Sequence, residues 1–494
     1  MSAKASGPRD AAAVILLDRP DDPLVYWVRR HPRMAFQGNF HAFPGGQRDP
    51  SDTEIQVVNG SGDEDSVARV AAVRELFEET GVLVARGAER LDAETMNDLR
   101  RRLNGGELSF ASMLAENGLS IDAALLGAAG RWVTPPFSPR RFDTFFFTAW
   151  MPDGQRVEQL NAELDFGEWL RPLEAVARWQ ESRVLVAPPI LHALRTLSGG
   201  LENLEARFTA IPEARGGLVR RIEFRPGIVL FPVRTPTKPP ATHTNCYVVG
   251  DREVVIIDPA SPYDDERDAL DAFVDELIHL EGRRVKEIIA SHLHPDHIGG
   301  IAHLAERIGV PVAAHRLTAG ALEGKLRVDR WIEDGELTTL AGNPEITLRA
   351  VHTPGHARGH LCFFEERNRA LLTADLIVGL GTVVIDPPEG NLVDYLESLA
   401  KVRALEPSVI FGAHGPAIGD PIAKIDEYVA HRFEREVQIL VAIEAGDRTP
   451  EAIVSRVYTA VPEKLHPLAA RSVIAHLEKL RDEGRLPEGM VVPE

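Results

Sequence analysis

Near the start of the chain, short apolar runs alternate with turn signals. Residues 12–18 (AAVILLD) and 24–29 (LVYWVR) predict two strands joined by a Pro-Asp-Asp turn, a hairpin pattern. A loop with Phe43-Pro44-Gly45-Gly46 and a polar insertion to about Asp65 follow, and then the apolar period lengthens. Val70, Val73, Leu76 and Phe77 form one stripe of a helix over 67–80, and Gly81 suits the left-handed residue that ends it. Helices at about 91–103, 108–117 and 172–180 and a strand at 142–150 (FDTFFFTAW) complete a first unit. Residues 199–224 lose periodic apolar positions and predict a linker.

From residue 225 the texture becomes strand–helix alternation: IVLFPV, NCYVVG, EVVIID, a helix over 264–280 and a strand over 285–290. Such alternation predicts an α/β layered domain to about residue 420. Residues 421–494 turn helical, with helices at 434–445, 450–458 and 466–483 and a terminal strand within GRLPEGMVV. No repeat at solenoid periods is visible.

Composition narrows this picture in three ways. A chain of 494 residues is too long for one ordinary domain, and 44% hydrophobic with 26% charged residues is globular composition. No apolar run reaches the roughly 18 residues of a membrane span, so no membrane partner is expected. Two cysteines, Cys246 and Cys362, cannot build a disulfide framework, and cytoplasmic residence follows as the expectation. The net charge of −19 repels polyanions on average, although basic pairs such as Arg140–Arg141 and Arg220–Arg221 could act locally.

The densest chemistry lies in Ser291-His292-Leu293-His294-Pro295-Asp296-His297, between a strand and a helix. A strand-to-helix turn lets several side chains converge without breaking a sheet ladder. Imidazoles and a carboxylate are the N/O donors that zinc, iron and manganese accept, and about three protein ligands leave a position open for water. The motif alone cannot fill two sites, but His356 (HTPGH), Asp375 (LLTAD) and His414 (FGAHG) each follow a strand-like run. Isolated histidines such as His303, His315 and His431 read as surface or packing residues, and Cys362 as buried packing. Together these motifs resemble the metallo-β-lactamase superfamily over about residues 225–420. The resemblance implies an αβ/βα sandwich with one cation on His292, His294 and His356 and a second on Asp296, His297 and His414. Asp375 would bridge the two, and Asp258 would brace the loop. Two Zn²⁺, or Fe or Mn in their place, would acidify a shared water for attack on an ester, thioester or phosphoester. The segment 379–402 and the tail resemble the branch that includes a single-strand endoribonuclease with a winged-helix-like tail; the same scaffold serves glyoxalase II-type thioesterases.

A second cluster lies on the first unit's helix. Glu75, Glu78 and Glu79 stand at i, i+3 and i+4, so three carboxylates share a face opposite the apolar stripe. Mg²⁺ or Mn²⁺ would neutralise them. The string Arg74-Glu75-Leu76-Phe77-Glu78-Glu79-Thr80-Gly81-Val82 resembles the diagnostic half of the Nudix box. With FPGG and residues 131–150, it is similar to a coenzyme A diphosphatase-containing subgroup over residues 8–198. That implies a Nudix α/β/α sandwich in which Glu78 and Glu79 bind metal, Glu75 assists and Arg74 orients a glutamate. Glu163 is a weaker candidate base. Ser66 stands where the usual spacing puts a further glutamate, after an insertion, which leaves turnover or mere nucleotide sensing open.

The sequence therefore predicts a two-domain metal-dependent hydrolase of mixed α/β class with a helical winged-helix-like tail. Asp296, Glu75 and Glu78 are the candidate catalytic groups. A small diphosphate or thioester is the expected substrate and single-stranded RNA the alternative; self-association is left open.

Overall fold

The computed structural model describes residues 7–34, 36–62, 64–158 and 162–493. It divides into two compact units, 1–226 and 227–494. No helix among the described residues is long and apolar enough to cross a membrane.

The first unit is built on a mixed sheet whose centre is the parallel pair Arg9–Leu17 and Phe142–Trp150, in register from Arg9↔Phe142 to Leu17↔Trp150. Arg9–Leu17 also pairs with Val25–Arg30, the expected hairpin, and with Gly45–Gln47. Val14 and Leu16 are fully buried beneath the helix Glu64–Thr80, whose Val70, Val73, Leu76 and Phe77 are equally buried. Gly81 ends that helix at φ +77°, the left-handed conformation that costs glycine little. The other expected helices lie at Ala93–Asn104, Phe110–Glu116 and Pro172–Gln180.

The stretch 199–224 is not an extended linker. It contains the helix Leu204–Phe208 and the strand Arg215–Leu218, which joins the first unit's sheet beside Gly127–Val133. Phe208 is fully buried, and Trp179 Nε1 donates to Phe224 O at 3.1 Å. Aperiodic apolar residues here anchor short elements, so the absence of a helical stripe did not signal absence of structure.

The second unit has two sheets. One contains, in spatial order, the strands Ile228–Arg234, His243–Gly250, Glu253–Ile257, Arg284–Ala290, Val312–His315 and Arg330–Ile332. The other runs Leu337–Leu340, Ile346–His352, Leu361–Glu365, Ala370–Ala374 and Val409–Gly412. Backbone bonds stitch the sheets together: Asn245 N donates to Ala413 O at 2.7 Å and Leu361 N to Ser291 O at 2.9 Å. Asn245 Nδ2 and Tyr247 OH also donate to Gly412 O. This stitching brings turns that leave different sheets to one place.

The tail begins with a single helix, Pro421–Glu444, longer than its apolar pattern suggested because Ile425 and Tyr428 already pack on the sheet core. Pro450–Val457 and His466–Asp482 follow as expected. No strand forms in 484–493; Met490 instead joins the buried cluster that includes Ile439, Ile443 and Val473 of the tail helices.

Candidate metal centres

All seven histidine-centre residues converge. His292 and His294 leave the end of Arg284–Ala290, and Asp296 and His297 sit on the short helix Pro295–Ile298. His356 follows the strand ending at His352, Asp375 the strand ending at Ala374, and His414 the strand ending at Gly412. His292, His294, His356 and Asp375 form one group, and Asp296, His297 and His414 another, each with its donor atoms within 4.8 Å of one another.

Hydrogen bonds fix which nitrogen faces inward. Ser291 donates its hydroxyl proton to Asp258 Oδ2 at 2.6 Å and accepts from His292 Nδ1 at 3.0 Å. His356 Nδ1 donates to Val384 O at 2.9 Å, His414 Nδ1 to His243 O at 2.8 Å and His297 Nδ1 to Asp258 Oδ2 at 2.8 Å. The opposite Nε2 atoms are thereby turned inward, the usual arrangement behind metal-binding imidazoles. His292 Nε2 and His356 Nε2 lie 3.0 and 2.9 Å from His294 Nδ1. Three nitrogen lone pairs this close repel unless a cation or proton lies between them.

Asp375 faces both groups. Its Oδ2 is 3.4 Å from His356 Nε2, while Oδ1 is 3.4 Å from His297 Nε2 and 3.3 Å from His414 Nε2. Asp375 Oδ1 and His297 Nε2 are both buried and make no hydrogen bond, the kind of orphaned pair a coordinated ion would satisfy. The donor set and these orphaned atoms fit a pair of divalent cations.

The electrostatics divide along the same line. Burial holds His292 well below an ordinary histidine, aided by the neighbouring histidines, and pushes His294 down to about 3. Burial also opposes charge on His297 and His414, but the Asp375 carboxylate overrides it and raises both. The three-histidine group is therefore ready to donate lone pairs, whereas a cation in the second group must displace protons.

Two partners of this centre stand outside the ligand groups, Asp258 as the resemblance implied and His360 unforeseen. Asp258, at φ +51°, accepts from Ser291 N, Ser291 Oγ and His297 Nδ1, so it fastens both ends of the histidine loop. His360 is fully buried; it accepts from Asp375 N at 3.2 Å through Nε2 and donates from Nδ1 to Thr353 Oγ1 at 2.9 Å. It positions Asp375 rather than joining the ligand groups. The only clue was its place four residues after His356. His303 pairs with Asp271, while His315 is buried and stacks on His352. Cys246 and Cys362 are free and buried.

In the first unit, Arg74 organises the carboxylates. It donates in a fork to Asp52 at 2.9 and 3.0 Å, to Glu75 at 2.8 Å and, more weakly, to Glu78 at 3.4 Å. Asp52 therefore occupies the partner role for which Ser66 had looked deficient. It comes from the 3₁₀ turn Pro50–Glu54 inside the insertion, where it also accepts from Asp49 N in a capping box. Fully buried, it places a compensating charge against Arg74. Ser66 is buried and accepts from Gly62 N at 3.0 Å.

The FPGG turn cradles the helix. Gly45 N donates to Glu79 Oε2 at 2.9 Å, and a Cβ on Gly46 would lie 2.4 Å from Glu75 Oε2. Burial, with the charge of Glu78, raises Glu75 to about 7, and burial with the charge of Glu75 raises Glu79 to about 8. Glu79 also responds to Arg30 and Glu163, which puts the candidate base in electrostatic range. A hard cation such as Mg²⁺, which takes ionised oxygen donors, would relieve this crowding of buried carboxylates and draw off their protons.

The fold and these sites define a two-part hydrolase. Its second half matches the description "Metallo-beta-lactamase superfamily" at residues 239–414, and the chain belongs to that superfamily. A NUDT19 Nudix domain matches residues 53–197, and a beta-lactamase associated winged helix domain matches residues 449–489. A beta-lactamase-like protein 2 homolog of Drosophila melanogaster is 32% identical over 255 residues, 49% of this chain and 84% of that protein. An atrochrysone carboxyl ACP thioesterase of Aspergillus chevalieri is 31% identical over 232 residues, 44% of this chain and 69% of that protein. A NUDIX hydrolase structure from Alicyclobacillus acidocaldarius is 32% identical with TM-score 0.36, spanning 40% of this chain and 95% of that one.

Proposed function

We propose that the histidine centre hydrolyses an acyl thioester and that the carboxylate helix cleaves a diphosphate, together acting on molecules of the acyl-coenzyme A type. The observation that carries the first part is Asp375, whose two oxygens face two separate donor groups. A thioesterase among the relatives supports the choice of a thioester. Divalent cations, Zn²⁺ or Fe or Mn in its place, would supply Lewis acidity and lower the pKa of water there. His292, His294 and His356 would hold one and Asp296, His297 and His414 the other, with Asp375 between. Ser291, Val384 and Asp258 engage the outer nitrogens of His292, His356 and His297 and so turn the inner ones toward the cation sites, and Asp296 is placed to take a proton near His414, 3.8 Å away.

In the first unit Glu78, with Glu75 and Glu79, would hold Mg²⁺ or Mn²⁺ against the diphosphate, with Asp52 keeping Arg74 in place. The Asp52–Arg74 fork favours an active site over a sensing relic, because it retains the ordering of the carboxylates. Arg432, Arg435 and Lys479 of the tail bond or stack within the protein, so a single-stranded RNA grip there lacks a free basic face of these residues. The free, buried thiols suit a reducing cytoplasm.

The test is an acyl-CoA panel on the full chain with Zn²⁺, Mn²⁺ or Mg²⁺, reading thiol release and diphosphate cleavage separately. His294→Ala should abolish thiol release alone and Glu78→Gln diphosphate cleavage alone. Wild-type protein that releases no thiol but cuts unstructured RNA would replace this reading with the nuclease one.

A further inference from the structure

The loop after Asp375 returns past the histidine centre before entering the helix Leu392–Arg403. Its Val384 carbonyl is the acceptor that turns His356 Nε2 inward. The tail helices hold this loop from the other side. Arg432, 6% exposed on the helix Pro421–Glu444, donates to Val383 O at 2.6 Å and lies over the Tyr395 ring at 5.1 Å. Arg471, on His466–Asp482, donates to Asp386 Oδ1 at 2.5 Å and also to Pro387 O. Tyr428 exchanges hydrogen bonds with Val378 N and O at 3.2 Å, three residues beyond Asp375.

We propose that the tail is a positioning element of the metal centre: Arg432, Arg471 and Tyr428 clamp residues 378–387 and so set the orientation of His356. The inference rests on the reading of the histidine cluster as a metal centre. A loop carbonyl holds an imidazole only as firmly as the loop itself is held. Three side chains from two tail helices grip it within ten residues, and Arg432 bonds the residue adjoining Val384. Loss of an outer partner of a metal-binding histidine weakens metal affinity about ten- to a hundred-fold. The same loss is expected when the outer partner is intact but unmoored.

The experiment uses the full chain, stripped with a chelator and titrated with Co²⁺, whose visible absorption reports its coordination. Arg471→Ala, which removes both bonds to the loop, and Asp386→Asn, which removes the charge that holds one of them, should weaken Co²⁺ uptake about tenfold or more and shift the absorption band. Arg471→Lys should restore part of the affinity. Arg403→Ala, which removes only a surface pair with Asp426, should match the wild type. Folded Arg471→Ala and Asp386→Asn proteins with wild-type affinity and spectrum would overturn the clamp while leaving the metal centre standing. Should Arg471→Ala not fold, Asp386→Asn decides, since it leaves the tail's own packing intact. Wild-type protein that takes up no Co²⁺ would overturn the metal-centre reading, and the clamp with it.

Discussion

The two centres solve the same problem, gathering charge in a buried place, in opposite ways. The carboxylate site draws three acids from one helical turn, so their proximity follows from helix geometry alone. Its difficulty is repulsion, which Arg74 and the partial protonation of Glu75 and Glu79 reduce. The histidine site draws seven side chains from four turns, so convergence depends on two sheets joining. Its difficulty is orientation, handled by Asp258, Val384, His243 and His360 outside the ligand ring. A local site is limited by charge and a dispersed one by aim, and the two should fail differently when disturbed.

The largest break should come from Asp375→Ala, which removes the group shared by both ligand sets. Thioester hydrolysis is expected to fall on the order of 10³-fold, with about several kcal/mol of transition-state stabilisation lost. Metal analysis should show fewer ions per chain, while diphosphate cleavage stays at the wild-type rate. A single turnover assay for each reaction would show whether that independence holds.

Next in size, Asp52→Ala should expose the charge logic of the local site. Leaving Arg74 buried without its forked partner should cost the first unit about 3 kcal/mol in urea unfolding. Ser66→Ala should cost less than about 1 kcal/mol, a loss typical of one hydrogen bond. Equal losses would return the partner role to position 66.

A pH series should then separate the sites without mutation. Glu75 and Glu79 hold their protons to about 7 and about 8 in the folded chain, above their ordinary value. The folded state thus binds more protons than the unfolded one above about pH 4.5, and the first unit should lose stability as pH rises from 5 to 9. Saturating Mg²⁺ should flatten that slope, with protons released on binding. A melting series that gains stability toward pH 9 without cations would contradict these buried, proton-holding acids.

The smallest effect is expected at Cys362. Burial pushes its thiol up to about 12, and Thr353 is its near neighbour at 3.2 Å. Alkylation at pH 8 should leave it unmodified in the folded chain, and Cys362→Ala should change thioester turnover less than about twofold.

Local signals carried far in this molecule. The stripe Val70–Phe77 located a helix and the i, i+3, i+4 acids on it, because both are properties of a 3.6-residue period. The strand at 142–150 was readable from its run of aromatic and β-branched residues. Residues 199–224 and 484–493 misled, because Phe208 and Met490 find their burial against distant elements and show no period of their own.

The amino-acid string by itself fixed which donors exist and which class of ion they favour, since that is a property of imidazole and carboxylate chemistry. It could not say that Asp52 rather than residue 66 meets Arg74, or that His360 supports Asp375 without joining the ring. It also could not reveal that tail arginines reach the loop behind His356. Those choices depend on distances between segments far apart in the chain, and only the joining of sheets, turns and tail helices sets such distances.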